Sequence, residues 1–473
     1  MGRYRKNKNT YFIFGTLACV VWIFCSPKVS LQSGWEKLPR ILKQMAVPQF
    51  PPQEVNVLDF GAIGDGKTDC TEAFRQAIMT CNKMGGGRVR VPPGKYLTGA
   101  IHLKSHVALH LDKDAVILFS RDLQKYLPLV LTRFEGIECM NYSPCVYAYG
   151  QENVAITGEG ILDAQADSAG WWTWVGKEKY GWKPGMPHQE KDRDSLFQMA
   201  EKGIPVEKRV FGPGHFIRVN FIQFYRCKNV LIEGVTILRS PMWVIHPVLC
   251  ENVMVQNVRV KSLGPNNDGC NPESSKNVWI RNCEFDTGDD CIAIKSGRNG
   301  DGRRIHTPSE NIVIQHCVMK SGHGGVVIGS EISGSCRNVF IEDCFMEGPN
   351  LDMALRIKTN SLRGGVIENI FARRITVREL TDSVIWIDFY YGEGDIAQYT
   401  PVVRNLYVSD LVSYKSHYAL FLQGYERSPI ENVHLENCTF YGVEKGNWLH
   451  HVSGLRMKNV RIERDVKEMV YAH

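Results

Sequence analysis

"CKNVLIEGV" (227–235), "CENVMVQNV" (250–258), "SKNVWIRNC" (275–283) and "SENIVIQHC" (309–317) set an asparagine and an aliphatic residue at the same step of one short phrase. The phrase continues in "CRNVFIEDC" (336–344), "IENIFARRI" (367–375), "VRNLYVSDL" (403–411) and "IENVHLENC" (430–438). The asparagines are Asn229, Asn252, Asn277, Asn311, Asn338, Asn369, Asn405 and Asn432, spaced by 23, 25, 34, 27, 31, 36 and 27 residues. Recurrence at this period marks a repeat architecture, the shortest spacings giving the basic coil and the longer ones carrying inserted loops. Positions one and three after each asparagine are aliphatic apart from Ala372, so they share one face of a strand. Position six is again apolar (Val235, Val258, Cys283, Cys317, Cys344, Ile375, Leu411, Cys438), which breaks the period of two and requires a bend. Short strands with bends, stacked ~4.8 Å apart so that each coil buries the inner face of the next, describe an all-β chain wound as a single-stranded parallel β-helix. The asparagines then align at one turn, their amides bonding along the stack in the left-handed backbone conformation that Asn tolerates.

The columns also account for most of the 15 cysteines. Cys283, Cys317, Cys344 and Cys438 fill one inward column, Cys227, Cys250 and Cys336 a second, and Cys270 and Cys291 a third. These nine read as small core residues. Cys139 and Cys145 flank a loop and are candidates for a disulfide. No CxxC pair suggests zinc. Upstream, "DCTEAFRQAIMTC" (69–81) has Phe74, Ala77, Ile78 and Cys81 on one face, and Asp69 with Glu72 reads as a capping box. This helix is expected to cap the open strand edges of the first coil. "RVRVPPGKYLTG" and "HVALHLDKDAVI" read as early strands. Residues 165–215 break the pattern, with Trp171, Trp172, Trp174 and Trp182 among charged residues and glycines. They are either a packed flap or a sugar-stacking wall beside a cleft.

Arg3, Arg5, Lys6 and Lys8 precede the apolar run "YFIFGTLACVVWIFC" (11–25), which is short for a membrane span of ~20 residues. Residues 1–26 are expected to be an export signal, with a lipoprotein signal at Cys19 or a retained anchor as alternatives. Residues 27–53 read as a linker and 54–473 as one domain. The protein is expected outside the cytoplasm: periplasmic, at the cell surface or secreted. The 473 residues are 44% hydrophobic and 22% charged, ordinary globular composition. The net charge of +6 fits an acidic partner, and no basic run after the first eight residues suggests nucleic acid.

"TGDDCIAIKSG" (287–297) sets Asp289 and Asp290 against an apolar strand. Asp289 lies twelve residues after Asn277, and His323 twelve after Asn311, so the two are equivalent in adjacent coils. Aligning "DDCIAIKS", "HGGVVIGS" and "DMALRIKT" turns Ile292, Ile294, Val326, Ile328, Leu355 and Ile357 inward. Asp289, Lys295, His323, Arg356 and Lys358 then face outward. Aligning Cys270 with Cys291 places Asp268 over Asp289. Asp290 breaks the alternation and must sit at a corner or be buried at high cost. Three carboxylates, an imidazole and two cations thus converge on one outer surface. Glycoside hydrolysis needs such an inventory, an acid to protonate the leaving oxygen and a carboxylate to activate water. Crowding the carboxylates raises at least one pKa, and Arg356 with Lys358 forms an anion clamp.

"NND" (266–268), "GDD" (288–290), "GHG" (322–324) and "RIK" (356–358) resemble the four signature motifs of the polygalacturonases, glycoside hydrolase family 28. The resemblance runs from about residue 54, through "VLDFGAIGDGKTD", to near the C-terminus. It implies a right-handed parallel β-helix and inverting hydrolysis of galacturonosyl linkages in pectin with no metal and no cofactor, by a monomer. Carried over by motif, Asp289 is the general acid, and Asp268 and Asp290 hold the water. His323 assists protonation of the acid. Arg356 and Lys358 bind the galacturonate carboxylate, and Asn266 and one of Tyr390 or Tyr391 join the substrate-binding set. Asn267 departs from the family, which usually has Thr there. A rhamnogalacturonan hydrolase, a calcium-dependent pectate lyase and a non-catalytic carbohydrate-binding β-helix are the alternatives. Exo action is expected if the 165–215 insertion closes one end of the groove.

Overall fold

A computed structural model describes residues 34–465. The signal segment expected at 1–26 lies outside them. The chain is a right-handed parallel β-helix of three faces. The first face carries strands such as Lys228–Glu233, Glu251–Gln256 and Lys276–Arg281. The second carries Thr236–Leu238, Arg259–Ser262 and Glu284–Thr287, and the third Ile245–Val248, Ile292–Ile294, Val326–Gly329 and Leu355–Lys358. Val230, Val253, Val278, Ile312, Val339, Ile370, Leu406 and Val433 pair one above the other, as the repeat requires. All eight lie in one continuous buried core.

Two left-handed corners in each coil generate the bends. Each ladder asparagine has φ between 54° and 61°. Asn252 Nδ2 donates to Asn229 Oδ1 (3.1 Å), Asn277 to Asn252 (3.2 Å) and Asn311 to Asn277 (2.9 Å). The ladder reaches one coil further than the repeat indicates, because Asn229 donates to Asn153 (3.0 Å) across a 76-residue separation that holds the large insertion. The second corner lies five residues after each asparagine: at Gly234 (φ 79°) after Asn229, then at Asn257, Asn282, His316, Asp343, Arg374, Asp410 and Asn437, these seven with φ of 52–56°. One left-handed residue there puts positions three and six on the same inner side.

Among the described residues four α-helices decorate this cylinder: α1 (Leu38–Gln44), α2 (Thr71–Lys83), α3 (Glu190–Glu201) and α4 (Asn299–Ile305). Helix α2 buries Phe74, Ala77, Ile78 and Cys81 on the first coil. Its capping box does not form. The Ncap is Cys70, Asp69 Oδ1 accepts from Thr71 N (3.0 Å), and Glu72 pairs with Arg75. The described part of the expected linker is packed. Leu38 and Ile41 of α1, with Trp35 before it and Met45 after it, cover an outward column of Val313, Phe340, Phe371 and Tyr407. Phe50 covers Ala108, Ala155, Leu231 and Met254 on earlier coils. Position two after the asparagine is apolar in these coils because this strap shields it from water. The thirteen cysteines among the described residues are buried free thiols, so the nine column cysteines pack as expected and Cys139 and Cys145 are not bridged.

Residues 128–145 leave the winding as an antiparallel hairpin of Val130–Phe134 and Ile137–Asn141, the one antiparallel strand pair among the described residues. It stands against the third face. Arg133, with no exposed surface, pairs with Glu273 (3.0 Å), which also meets His246 (2.7 Å). Arg209 pairs with Asp301 (2.9 Å) and Arg304 with Glu138 (2.6 Å), tying α4 to the same hairpin.

Candidate active site

The turns entering the third face carry the predicted acids. His323 N donates to the Asp289 carbonyl (3.1 Å), and His323 Nδ1 lies 3.1 Å from Asp289 Oδ1, which places the two in adjacent coils as the spacing predicts. Gly322 is obligatory there, since a Cβ would lie 2.2 Å from the Asp289 carbonyl oxygen and φ is +146°. Ile292 pairs with Val326 and Val326 with Leu355, while Ile294, Ile328 and Ile357 form the neighbouring inward column. The strand begins only at Ile292, so strand alternation does not apply to Asp289 and Asp290.

Asp290 lies at this corner and is also fully buried. Lys358 Nζ donates to its Oδ2 (2.7 Å), and Arg356 Nη1 approaches its Oδ1 (3.4 Å). The cations of the clamp thus neutralise a carboxylate of the site in the absence of substrate. The register at Asp268 differs by one residue from expectation: Cys270 pairs with Ile292 rather than Cys291, because the strand of residue 270 is reduced to isolated bridges after an irregular turn. Asp268 still enters the cluster. Its Oδ2 accepts from Asn271 Nδ2 (2.7 Å) and lies 3.6 Å from Lys295 Nζ. Asn267 fastens the turn, accepting from Ser262 Oγ (2.6 Å) and Gly264 N (3.0 Å) and donating to Met242 O (3.1 Å). Asn266, at φ 55°, faces the cleft and accepts from Arg218 (2.6 Å).

The cleft holds about 470 Å³ and includes Asn266, Asp268, Asp289, His323, Lys358 and Tyr391 in its lining. Arg356 borders it with its guanidinium over Trp386 (5.0 Å) and Tyr391 (5.5 Å). Tyr390 does not join them; its ring, 42% exposed, packs edge-on to Tyr425. The indoles of the insertion are also elsewhere. Trp171 packs on Tyr126 and Trp174, Trp174 on Phe216, and Trp172 donates to Ser240 O (2.8 Å). Of the two readings of that insertion, the packed flap is the one observed, and the tryptophan lining the cleft is Trp243. Sequence reasoning missed Trp243, from a turn entering the third face, Glu135, from the hairpin, and Arg298, Glu331, Arg363 and Glu393, from turns leaving that face, all outside the repeat. Lys295 was visible through its register with Lys358. It binds Glu331 (3.0 Å) and Gly329 O (3.0 Å).

The electrostatics divide the carboxylates. Burial raises Asp268, and the charge of Asp289 raises it further against the pull of Lys295, so it stays well above the usual carboxylate range. Burial also raises Asp289, but the hydrogen bond to His323 and the charge of Lys358 outweigh it and hold Asp289 low. His323 is raised above its ordinary value by its bond to Asp289, against burial. The buried cluster thus drives Asp268 and Asp289 in opposite directions, with the His323 imidazole bonded to the one held low.

Comparison with known proteins agrees with this geometry. The model of "Glycosyl hydrolases family 28" matches residues 214–459, and that of "Rhamnogalacturonase A/epimerase, pectate lyase-like" matches residues 54–110. A probable polygalacturonase of Vitis vinifera is 29% identical over 82% of this chain and 74% of its own. An exo-poly-alpha-D-galacturonosidase of Dickeya chrysanthemi is 27% identical over 74% of this chain and 59% of its own. The crystal structure of a hyperthermoactive exopolygalacturonase from Thermotoga maritima is 49% identical, covers 92% of this chain and 96% of its own, and superposes with a TM-score of 0.89. With a family model spanning more than half of the sequence, and the acids of its motifs gathered in one cleft, the chain belongs to glycosyl hydrolases family 28.

Proposed function

We propose that this polygalacturonase-type glycoside hydrolase cleaves α-1,4-galacturonosyl linkages of pectin from chain ends, acting outside the cytoplasm. The observation that carries the reading is the convergence of Asp268, Asp289, Asp290 and His323 opposite Lys358 and Arg356. The cations suit a sugar bearing its own carboxylate. In this reading Asp289 protonates the leaving oxygen, while Asp268 and Asp290 hold the attacking water, giving inversion. Asp289, held low by His323 and Lys358, must gain a proton before it can act as the acid. His323, 3.1 Å away, is the nearest source. The likeness to an exopolygalacturonase and the hairpin standing beside the cleft support cutting from ends. Among the described residues no helix is long and apolar enough to cross a membrane. Export rests on the N-terminal charge and apolar pattern.

Product profiling on homogalacturonan and rhamnogalacturonan tests this. Monomer or dimer from the earliest time points on homogalacturonan is expected, and mixed oligomers would overturn cutting from ends. An ultraviolet-absorbing product lost with chelator would indicate a lyase instead. Asp289→Asn is expected to lower kcat by about 10³-fold or more with folding retained. Unchanged hydrolysis in that variant would refute the assignment of the acid.

A further inference from the structure

The hairpin delivers one carboxylate to the cleft that the hydrolytic machinery does not use. Glu135 sits at its tip in the left-handed conformation (φ 43°) with 16% of its side chain exposed, and lines the same cleft as Asp268 and Asp289. Among the described residues its one ion pair is loose, with Arg298 at 3.5 Å. A carboxylate accepts about four hydrogen bonds, so most of the capacity of Glu135 is unspent. The tip is fixed in place: Arg298 N donates to Gly136 O (3.1 Å), and a Cβ on Gly136 would lie 2.7 Å from that nitrogen. The stem is held by the buried Arg133–Glu273 pair and by Asp301 and Arg209, which bond the Glu138 backbone (2.9 and 3.2 Å), so this wall is built in and not a lid.

The position of Glu135 gives it meaning. The stem stands against the coils of Gln223, His246 and Glu273, which precede the coil of Asp289. The carboxylate-binding pair, Arg356 and Lys358, comes from the coil beyond His323. The tip itself reaches past the stem to the coils of Asp289 and His323, where Gly136 meets Arg298 and Glu331. Asp268 and Asp289 line the cleft that this wall borders, so a terminal sugar held over them can turn its C4 hydroxyl to Glu135. We propose that Glu135 reads the chain end: its carboxylate accepts a hydrogen bond from the C4 hydroxyl of the non-reducing terminal galacturonate.

A galacturonate inside a chain has no C4 hydroxyl, because a glycosidic bond occupies that position. Continuing the chain would also bring another sugar carboxylate against Glu135, and like charges at such a contact reject the ligand. The same side chain therefore favours the terminus and disfavours the interior. This rests on the chain-end reading above, and the test separates the two.

The parent, Glu135→Gln and Glu135→Ala are assayed on trigalacturonate labelled at its reducing end. They are also assayed on the same trimer with a 4,5-unsaturated non-reducing residue, which lacks the C4 hydroxyl. A site built to bond a hydroxyl rejects an analogue without it, so the parent is expected to prefer the saturated trimer by about tenfold or more in kcat/KM. Glu135→Ala should bring that ratio near one, with Glu135→Gln between. A parent without preference, or a Glu135→Ala that keeps the parent ratio, overturns the assignment. Mixed oligomers from the parent on polymer would sink the chain-end reading itself. Release of end units by the parent alongside an unchanged ratio in Glu135→Ala sinks only the role of Glu135. The near-isosteric Glu135→Gln keeps the test valid if the alanine variant folds poorly.

Discussion

Asp290 and Lys358 are both buried, and each is acceptable there because of the other. Removing one partner of a buried pair typically costs about 3–5 kcal/mol, because the remaining charge is left uncompensated. Lys358→Met is therefore expected to lower unfolding free energy by up to about that amount, reduced where Arg356 compensates. The double variant Asp290→Asn/Lys358→Met should recover part of the loss without recovering activity. Chemical denaturation of the single and double variants reads both. Equal stability of parent and Lys358→Met would show that water or Arg356 already satisfies Asp290. The sequence carried half of this arrangement. The parity of "GDD" demanded a corner or a costly burial for Asp290, and the structure has both. That the cost is offset by the two cations expected to serve substrate follows only from three-dimensional proximity.

At the scale of the element, the asparagine ladder repeats one solution to two demands. Each turn needs φ near 55°, which penalises most side chains, and each leaves polar groups that the neighbouring amide satisfies. Asn311 is buried, donates to Asn277 and accepts from Asn338 (3.1 Å). Asn311→Ala should cost about 2–4 kcal/mol, combining backbone strain with the broken ladder. Asn311→Gly should cost less, because glycine adopts this conformation freely. Thermal unfolding of the pair separates the two contributions, and equal losses would assign the whole effect to the side-chain bonds. These positions were legible because the same residue recurs at the same step. The second corner was not, since Asn, His, Asp and Arg share it and composition conceals a common φ. The strap over Phe340, Phe371 and Tyr407 was missed for a related reason. Its residues, Trp35, Leu38, Ile41 and Met45, lie in the stretch expected to be a linker, outside the repeat, so no column revealed their docking. The hairpin lies outside any period, so Glu135 had no column to reveal it.

Across the whole molecule, charge is distributed in a way the total conceals. Arg3, Arg5, Lys6, Lys8 and Lys28 account for five of the six excess positive charges, and no acid precedes residue 34. The rest of the chain is nearly neutral, so the excess that fitted an acidic partner is not a property of the β-helix. Attraction of a polyanionic substrate must then come from the cleft itself, where Arg356, Lys358 and Lys295 are interleaved with Asp268, Asp290 and Glu331. Such alternating charges cancel beyond a few ångströms, and a Debye length of ~10 Å at 0.1 M salt screens what remains. Electrostatically steered association gains 10- to 10³-fold and loses it steeply with ionic strength. Here kcat/KM on oligogalacturonides should fall by less than about tenfold between 0.05 and 0.5 M NaCl. Arg356→Met, which removes a cation proposed to meet the sugar carboxylate directly, should lower kcat/KM at every salt concentration and flatten its slope. A parent slope spanning two decades would mean that a field beyond the cleft gathers the substrate, and an Arg356→Met slope as steep as the parent's would place that field away from the clamp.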